Sequence, residues 1–158
     1  LFLEHDWGFL EEIPINKIMN KMDEHSHFNY VRFPYTYMGP GGSSHWDVHG
    51  VPGGGHFKVD EEIGLPLTQC QFYSGNPHIV SIDIAKKFYK PIHLKWWSDV
   101  TKGTSHLEKE LMDIILEDVK LLGTEQAHKR WGCFIWGVWG DETHKPPVKH
   151  LGDWCRKQ

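Results

Sequence analysis

An acid, an imidazole and an amine recur within one apolar segment, Ile79–Trp97, with the sequence IVSIDIAKKFYKPIHLKWW. Asp83 lies in its first apolar run, and His93 and Lys95 lie in its second. If both runs are β-strands, alternate side chains share a face, and these three polar side chains meet on one side of a hairpin. Phosphodiester hydrolysis uses such a set, because a carboxylate binds a divalent cation and an amine orients the attacking water.

The elements that would position these residues are predicted from periodicity. Ile79–Ala85 and Pro91–Trp97 are predicted to be adjacent antiparallel strands joined by a polar turn. A helix is predicted over Ser105–Leu122, because a capping-box spacing precedes apolar residues at helical intervals and Gly123 supplies a stop. The short aromatic run Trp131–Trp139 favours a further strand.

Upstream of the hairpin the chain predicts a helix and one or two strands. Pro14 suits a first helical position, and isoleucines and methionines at helical spacing extend the helix to an end near Asp23-Glu24-His25. Asn29–Tyr37 is interpreted as a strand, with Gln69–Ser74 as a possible extra one.

This order of elements resembles the PD-(D/E)xK superfamily, the restriction-endonuclease-like nucleases. Their motif is an Asp on the second core strand, followed by Glu/Asp-x-Lys on the third. Asp83 and Lys95 match the first and last positions, and His93 replaces the carboxylate. The resemblance covers the second half of the chain well and the first half loosely. It implies an α/β fold in which helices flank a mixed β-sheet, with a core of helix, three strands, helix and strand.

The resemblance also implies a metal-dependent nuclease that acts on DNA or RNA. Asp83 and His93 would hold a divalent cation, Mg²⁺ or Mn²⁺, and Lys95 would complete the catalytic set. The first core helix of the family often carries an acid near the site, which makes Glu24 a further candidate ligand. A solvated acid at a helix end is the competing interpretation of Glu24. Histidine suits Mn²⁺ better than Mg²⁺, so both an altered metal site and an inactive relative remain open.

Residues 39–56 form a glycine-rich stretch that predicts a loop insertion within a single domain, 1–158. The stretch holds His45, Asp47, His49 and His56, which form a second candidate metal site. A His-x-Asp pair also occurs in Fe(II) oxygenases that use two histidines and one carboxylate. Those enzymes need more strands than this sequence predicts. Scattered surface histidines are the third interpretation.

Composition sets limits on the partners. The chain of 158 residues carries a formal charge of −4, which argues against a strongly basic nucleic-acid coat. Local basic patches remain at Lys86-Lys87, Lys90 and Lys95. Three cysteines without paired spacing favour free thiols in a reducing, cytoplasmic compartment, and no apolar run is long enough to predict a membrane partner.

Three functions therefore compete on the sequence alone. The first is a metal-dependent nuclease or an inactive relative that binds nucleic acid. The second is a non-enzymatic interaction module of the phage or mobile-element type, favoured by the missing carboxylate at position 93 and by the net negative charge. The third is a metal enzyme built on the glycine-rich loop.

Overall fold

The computed structural model describes residues 7–35, 58–71, 73, 77–96 and 105–151. The fold is mixed α/β, as predicted, and its sheets are mostly antiparallel. The strands are β1 (Trp7–Phe9), β2 (Tyr30–Arg32), β3 (Lys58–Val59), β4 (Leu67–Cys70), β5 (His78–Val80), β6 (Cys133–Trp136) and β7 (Val148–His150). The helices are α1 (Ile15–Glu24), α2 (Ile82–Ile84), α3 (Lys90–Trp96), α4 (Ser105–Leu122) and α5 (Thr124–Trp131).

The main sheet has the strand order β3-β4-β6-β2-β5, and β1 pairs with β7 in a separate two-stranded sheet. β2 is parallel to β6 and antiparallel to β5. The pairs β3–β4 and β4–β6 are antiparallel. The parallel pair β2–β6 therefore lies inside the sheet, with an antiparallel neighbour on each side.

Alternation along the central strands produces two cores, one on each face of the sheet. Tyr30 and Cys133 point to a core that contains Leu111 and Ile115 of α4 and Trp131 of α5. The next residues, Val31 and Phe134, belong to a second core that contains Ile18 of α1. The period of two along a strand thus places α4 and α5 on one face and α1 on the other.

The helices with regular apolar spacing agree with the prediction. α4 has the predicted bounds, and its buried residues Leu111 and Ile115 are each 1% exposed. α1 begins directly after Pro14 and ends at Glu24, within the predicted end at Asp23-Glu24-His25. In the part of the chain that the structure describes, no helix is both long enough and apolar enough to span a bilayer.

The predicted hairpin is wrong. Only His78–Val80 is a strand, and from Ile82 to Trp96 the chain is helical: α2, a π-helical segment Ala85–Tyr89, and α3 follow one another without a break. We call this stretch the composite helix. Ser81 begins it, because its extended backbone and its Oγ, which accepts a hydrogen bond from the N–H of Ile84 at 3.4 Å, form an N-cap.

The predicted hairpin is wrong because the apolar residues of this segment fit both the period of a strand and the period of a helix. β-branched residues at alternate positions favoured a strand, but Ile84, Phe88 and Ile92 are also four residues apart, and they pack into one core. Pro91 is predicted to start a strand. It lies inside the composite helix as the second residue of α3, directly after the π-helical segment, whose altered hydrogen-bond pattern adjoins the missing N–H of the proline.

The segment after α4 also differs from the prediction, which placed a short polar loop there. Thr124–Trp131 is the helix α5, so Trp131 ends a helix and the following strand is Cys133–Trp136. Trp131 Nε1 donates a hydrogen bond of 2.7 Å to Asp118 Oδ2, which ties α5 to α4.

Gly132 joins α5 to β6 at a crowded turn. Its φ of +57° lies in the left-handed region that favours glycine. Its carbonyl accepts hydrogen bonds from the N–H groups of Asn29 and Tyr30, each 3.0 Å long. A Cβ at this position would lie 1.8 Å from the carbonyl oxygen of His27. The close approach aligns the start of β6 with the start of β2.

Candidate functional site

The predicted catalytic residues lie on the composite helix. Asp83 belongs to α2 and His93 to α3, and both are exposed. Lys95 is also in α3, although its side chain is outside the described part of the structure. Glu24, at the end of α1, accepts a hydrogen bond of 2.5 Å from Lys21 Nζ, and this contact lowers the pKa of Glu24.

The helical conformation separates the two predicted metal ligands. Ten residues of helix place the Cα atoms of Asp83 and His93 about 15 Å apart along the axis. Ligand atoms of one metal ion each lie about 2 Å from it, so these two side chains do not fit a shared cation. No catalytic step through a metal is therefore derived from them.

The second candidate metal site cannot be placed. His45, Asp47, His49 and His56 lie outside the described residues. Among the residues that are described, no three histidine, cysteine or carboxylate side chains form a group that could hold a metal ion.

The composite helix instead presents a basic face to solvent. Lys86, Lys87 and Lys90 are all exposed, and helical spacing puts them on one side, one turn after Asp83. Within the described structure these lysines form no ion pair, although Lys87 Nζ lies 5.1 Å from the centroid of the Phe88 ring. We call Lys86, Lys87 and Lys90 the lysine face.

Buried aromatic residues hold the opposite side of this helix against the sheet. Tyr89 is the last residue of the π-helical segment, and its hydroxyl lies 3.0 Å from Nε2 of His78 in β5. The Tyr73 hydroxyl lies 3.4 Å from the same nitrogen. Burial raises the pKa of Tyr89 far above its ordinary value, so the hydroxyl keeps its proton. This buried contact fixes the rotation of the helix and so directs the lysine face outward.

A separate groove of about 860 Å³ lies beside the first turn of α5. Its lining includes Gly123, Thr124 and His128 from the α5 region, and Lys58 and Gln69 from β3 and β4. Its volume falls within the range of about 300–1,000 Å³ that small-molecule sites occupy. The groove is therefore a second candidate site, distinct from the lysine face.

His128 is the buried polar side chain of this groove that the sequence analysis missed. It is 6% exposed, and its ring packs edge-on against Phe134 with centroids 4.8 Å apart. Nδ1 lies 3.2 Å from the carbonyl oxygen of Cys70, which can only accept, so Nδ1 carries the hydrogen. Nε2 is buried and has no hydrogen-bond partner within the described structure.

The surroundings of His128 keep the ring neutral. Burial is the largest influence and lowers the pKa of His128, because it disfavours the charged imidazolium. The hydrogen bond to the Cys70 carbonyl is the next largest influence and opposes this shift; His27 adds to the shift and Asp60 opposes it. In the neutral ring the Nε2 atom therefore holds a lone pair and acts as an acceptor.

Asp60 organises the wall of the groove on the β3–β4 side. Its Oδ1 accepts hydrogen bonds from the backbone N–H groups of Glu62, at 3.1 Å, and Ile63, at 2.8 Å. Its Oδ2 accepts from Gln69 Nε2 at 3.2 Å. This buried carboxylate fixes the turn between the two strands and the side chain of Gln69.

Comparisons with known proteins identify no relative. No family model, no curated protein and no solved structure gives a significant match to this chain.

The buried state of His128 predicts a dependence of stability on pH. The unfolded chain takes up a proton at a histidine near pH 6.5, whereas folded His128 takes it up only at lower pH. The unfolded state therefore binds more protons below about pH 6.5, and the free energy of unfolding falls until folded His128 is also protonated. We expect urea melts of the parent to lose more stability between about pH 7.5 and about pH 5 than melts of His128→Asn. Equal losses in both proteins would show that folded His128 titrates normally.

Proposed function

We propose that this protein binds the phosphate backbone of nucleic acid through the lysine face of the composite helix. The observation that carries the proposal is that Lys86, Lys87 and Lys90 are exposed on one side and have no ion pair within the described structure. Two other cations are paired with carboxylates: Lys129 with Glu125 at 3.3 Å, and Arg130 with Asp118 at 2.9 Å.

Three exposed ammonium groups on one side, unpaired within the described part of the chain, form a local positive patch in a protein of net charge −4. Phosphate oxygens are their complementary partners, since lysines that neutralise phosphates release condensed counterions and so favour binding. α3 packs against α4, whose exposed residues Asp113 and Glu117 repel phosphate. The polymer therefore approaches the composite helix from the side away from α4.

The proposal is for binding without cleavage, as in an interaction module. A nuclease with a restriction-endonuclease-like core remains the competing prediction. The separation of Asp83 and His93 by about 15 Å of helix weighs against it, because a shared cation is what that chemistry uses.

The test is fluorescence anisotropy with labelled DNA and RNA, single-stranded and duplex, of about 20 nucleotides, at about 50 mM and about 200 mM salt. The expected slope of log K against log salt is about −2 to −3, because three phosphates are contacted. Replacing Lys86, Lys87 and Lys90 by Glu should weaken binding by at least about tenfold and flatten that slope.

The matched control carries the same change in charge at exposed lysines on other helices: Lys17, Lys109 and Lys120 to Glu. It should bind within about threefold of the parent, because its lysines do not contact phosphates. If both triple variants lose the same binding affinity, net charge alone explains the effect and the proposal of a specific lysine face is refuted.

Cleavage is measured in the same samples with supercoiled plasmid and single-stranded DNA, in Mg²⁺ and in Mn²⁺. The binding proposal expects no metal-dependent cutting by the parent or by His93→Glu. Cutting that disappears in Asp83→Ala would support the nuclease prediction instead.

A further inference from the structure

The first turn of α5 offers backbone donors to the groove. The helix starts at Thr124 after Gly123, whose φ is +80°, and no side chain caps it. The Gly123 N–H donates a hydrogen bond to the carbonyl oxygen of Val119, and the Ala127 N–H donates to the carbonyl oxygen of Gly123. The N–H groups of Thr124, Glu125 and Gln126 have no acceptor within the helix, as expected for a first turn. These donors, together with the positive end of the helix dipole, favour an anionic oxygen.

His128 provides an independent sign of a ligand in the same groove. Its Nε2 is buried, carries the lone pair of a neutral ring and lacks a partner within the described structure. A buried polar atom without a hydrogen bond is unfavourable because it has lost its contact with water, and a donor that reaches it removes that penalty. A hydrogen-bond donor therefore fits Nε2, and a hydroxyl group is one that carries no positive charge.

The two features are spaced for one small molecule. Thr124 and His128 are four residues apart on α5, which is about 6 Å along the helix axis. A chain of five or six heavy atoms spans about that length. The ligand is thus an acceptor at one end and a hydroxyl donor at the other.

The charges along the groove favour an anionic ligand. Glu125 is paired with Lys129, and Glu62 lies 4.0 Å from His27 with its side chain 79% exposed. Lys58 lines the groove and forms no ion pair within the described structure. An oxyanion is therefore favoured over a cation.

From these observations we infer a second binding site, independent of the lysine face. The groove binds a small hydroxylated oxyanion, whose charged oxygen accepts from the first-turn N–H groups of α5 and whose hydroxyl donates to His128 Nε2. The shared chemistry is that of a hydroxycarboxylate or a sugar phosphate.

The experiment follows the parent protein by amide and histidine-ring NMR while five probes are added. D-gluconate and glucose 6-phosphate carry both groups and D-glucose carries hydroxyls alone. Acetate and inorganic phosphate carry the charge on a molecule too short to reach His128 Nε2 as well. We expect at least one of the first two to shift the amides of Thr124–Gln126 and the ring of His128 together. It should bind at least about tenfold more tightly than glucose, acetate or phosphate.

Comparing the first two probes decides whether the oxyanion is a carboxylate or a phosphate. If acetate or phosphate binds as tightly as the hydroxylated probes, His128 does not contribute to the site. No shift of the α5 amides with any probe would overturn the inference.

Two variants separate the two contacts. Thr124→Pro removes one free N–H at the first helical position, where proline is tolerated. The variant should therefore keep its fold and bind the anionic probes more weakly. His128→Asn keeps a donor for the Cys70 carbonyl but deletes the acceptor, so gluconate or glucose 6-phosphate should bind no better than acetate or phosphate. His93→Asn, an exposed histidine outside the groove, is the control and should bind like the parent.

The parent also provides a test that needs no variant. A hydroxyl that donates to Nε2 changes the shielding of that nitrogen, so the nitrogen NMR shift of Nε2 should move at saturation with the hydroxylated probe and not with acetate. An Nε2 shift that stays unchanged at saturation would overturn the role of Nε2 even if His128→Asn failed to fold.

Discussion

Gly132→Ala is expected to prevent the protein from folding stably. A Cβ at this position would lie 1.8 Å from the carbonyl oxygen and 2.7 Å from the carbonyl carbon of His27, and 3.0 Å from the backbone nitrogen of Asn29. All three are backbone atoms, so no side-chain rotation relieves the clash. The change would separate β6 from β2 and break the hydrogen bonds that the Gly132 carbonyl accepts. We expect a loss of more than about 4 kcal/mol, measured by urea denaturation with circular dichroism.

Gly64→Ala is the matched control for this prediction. Gly64 has a similar positive φ, +73°, but an added Cβ would meet nothing within 4 Å. It should cost about 1–2 kcal/mol, the strain of the left-handed conformation alone. If the two variants melt alike, the crowding at Gly132 is relieved by a backbone shift.

Leu111→Ala is expected to have the next largest effect, a loss of about 2–5 kcal/mol. Leu111 is 1% exposed and lies in the core between α4 and the sheet, so truncation removes buried surface and leaves a cavity. Ile115, which is also 1% exposed in the same core, should behave alike.

The control is on the same helix. Leu121 is 74% exposed, so Leu121→Ala removes the same atoms without opening a cavity and should change stability by less than about 0.5 kcal/mol. A parent-like melt of Leu111→Ala, in thermal and urea denaturation, would contradict the packing of α4.

Sequence patterns correctly predicted the helices whose apolar residues fit a helical period and no other. α4 has capping residues, a stop glycine and regular leucines, and its bounds are as predicted. α1 follows the same logic after Pro14. In both helices the local preferences agree with the burial that the fold requires.

The composite helix was missed because its sequence satisfies two periods at once. Ile82 and Ile84 suit a strand by alternation, whereas Ile84, Phe88 and Ile92 suit a helix. The π-helical segment conceals the helical period further, since it places Tyr89 in the buried row together with Phe88. Tertiary packing against His78 decides the outcome, and a single sequence does not reveal it.

The candidate sites could be predicted only in part from the sequence. Lys86, Lys87 and Lys90 were predicted as a local basic patch, but their common face depends on the helix. His128 had a signal that was overlooked: Gly123 and Gly132 bracket Ala127 and Trp131, four residues apart, which is the pattern of a short helix. The sequence does not predict that His128 Nε2 lacks a partner within the described structure, because this depends on residues distant along the chain.

β2 cannot complete its hydrogen bonding until most of the chain has been made. Its partners β5 and β6 follow about 50 and about 100 residues later. Synthesis at about 5–20 residues per second would leave the β6 side of β2 unpaired for roughly 5–20 s on the ribosome. During that time Tyr30 and Val31, which finally face the two cores, lack the strand that carries Cys133 and Phe134. Closing so long a loop costs entropy before any contact compensates for it, so we expect the nascent sheet to close late and slowly.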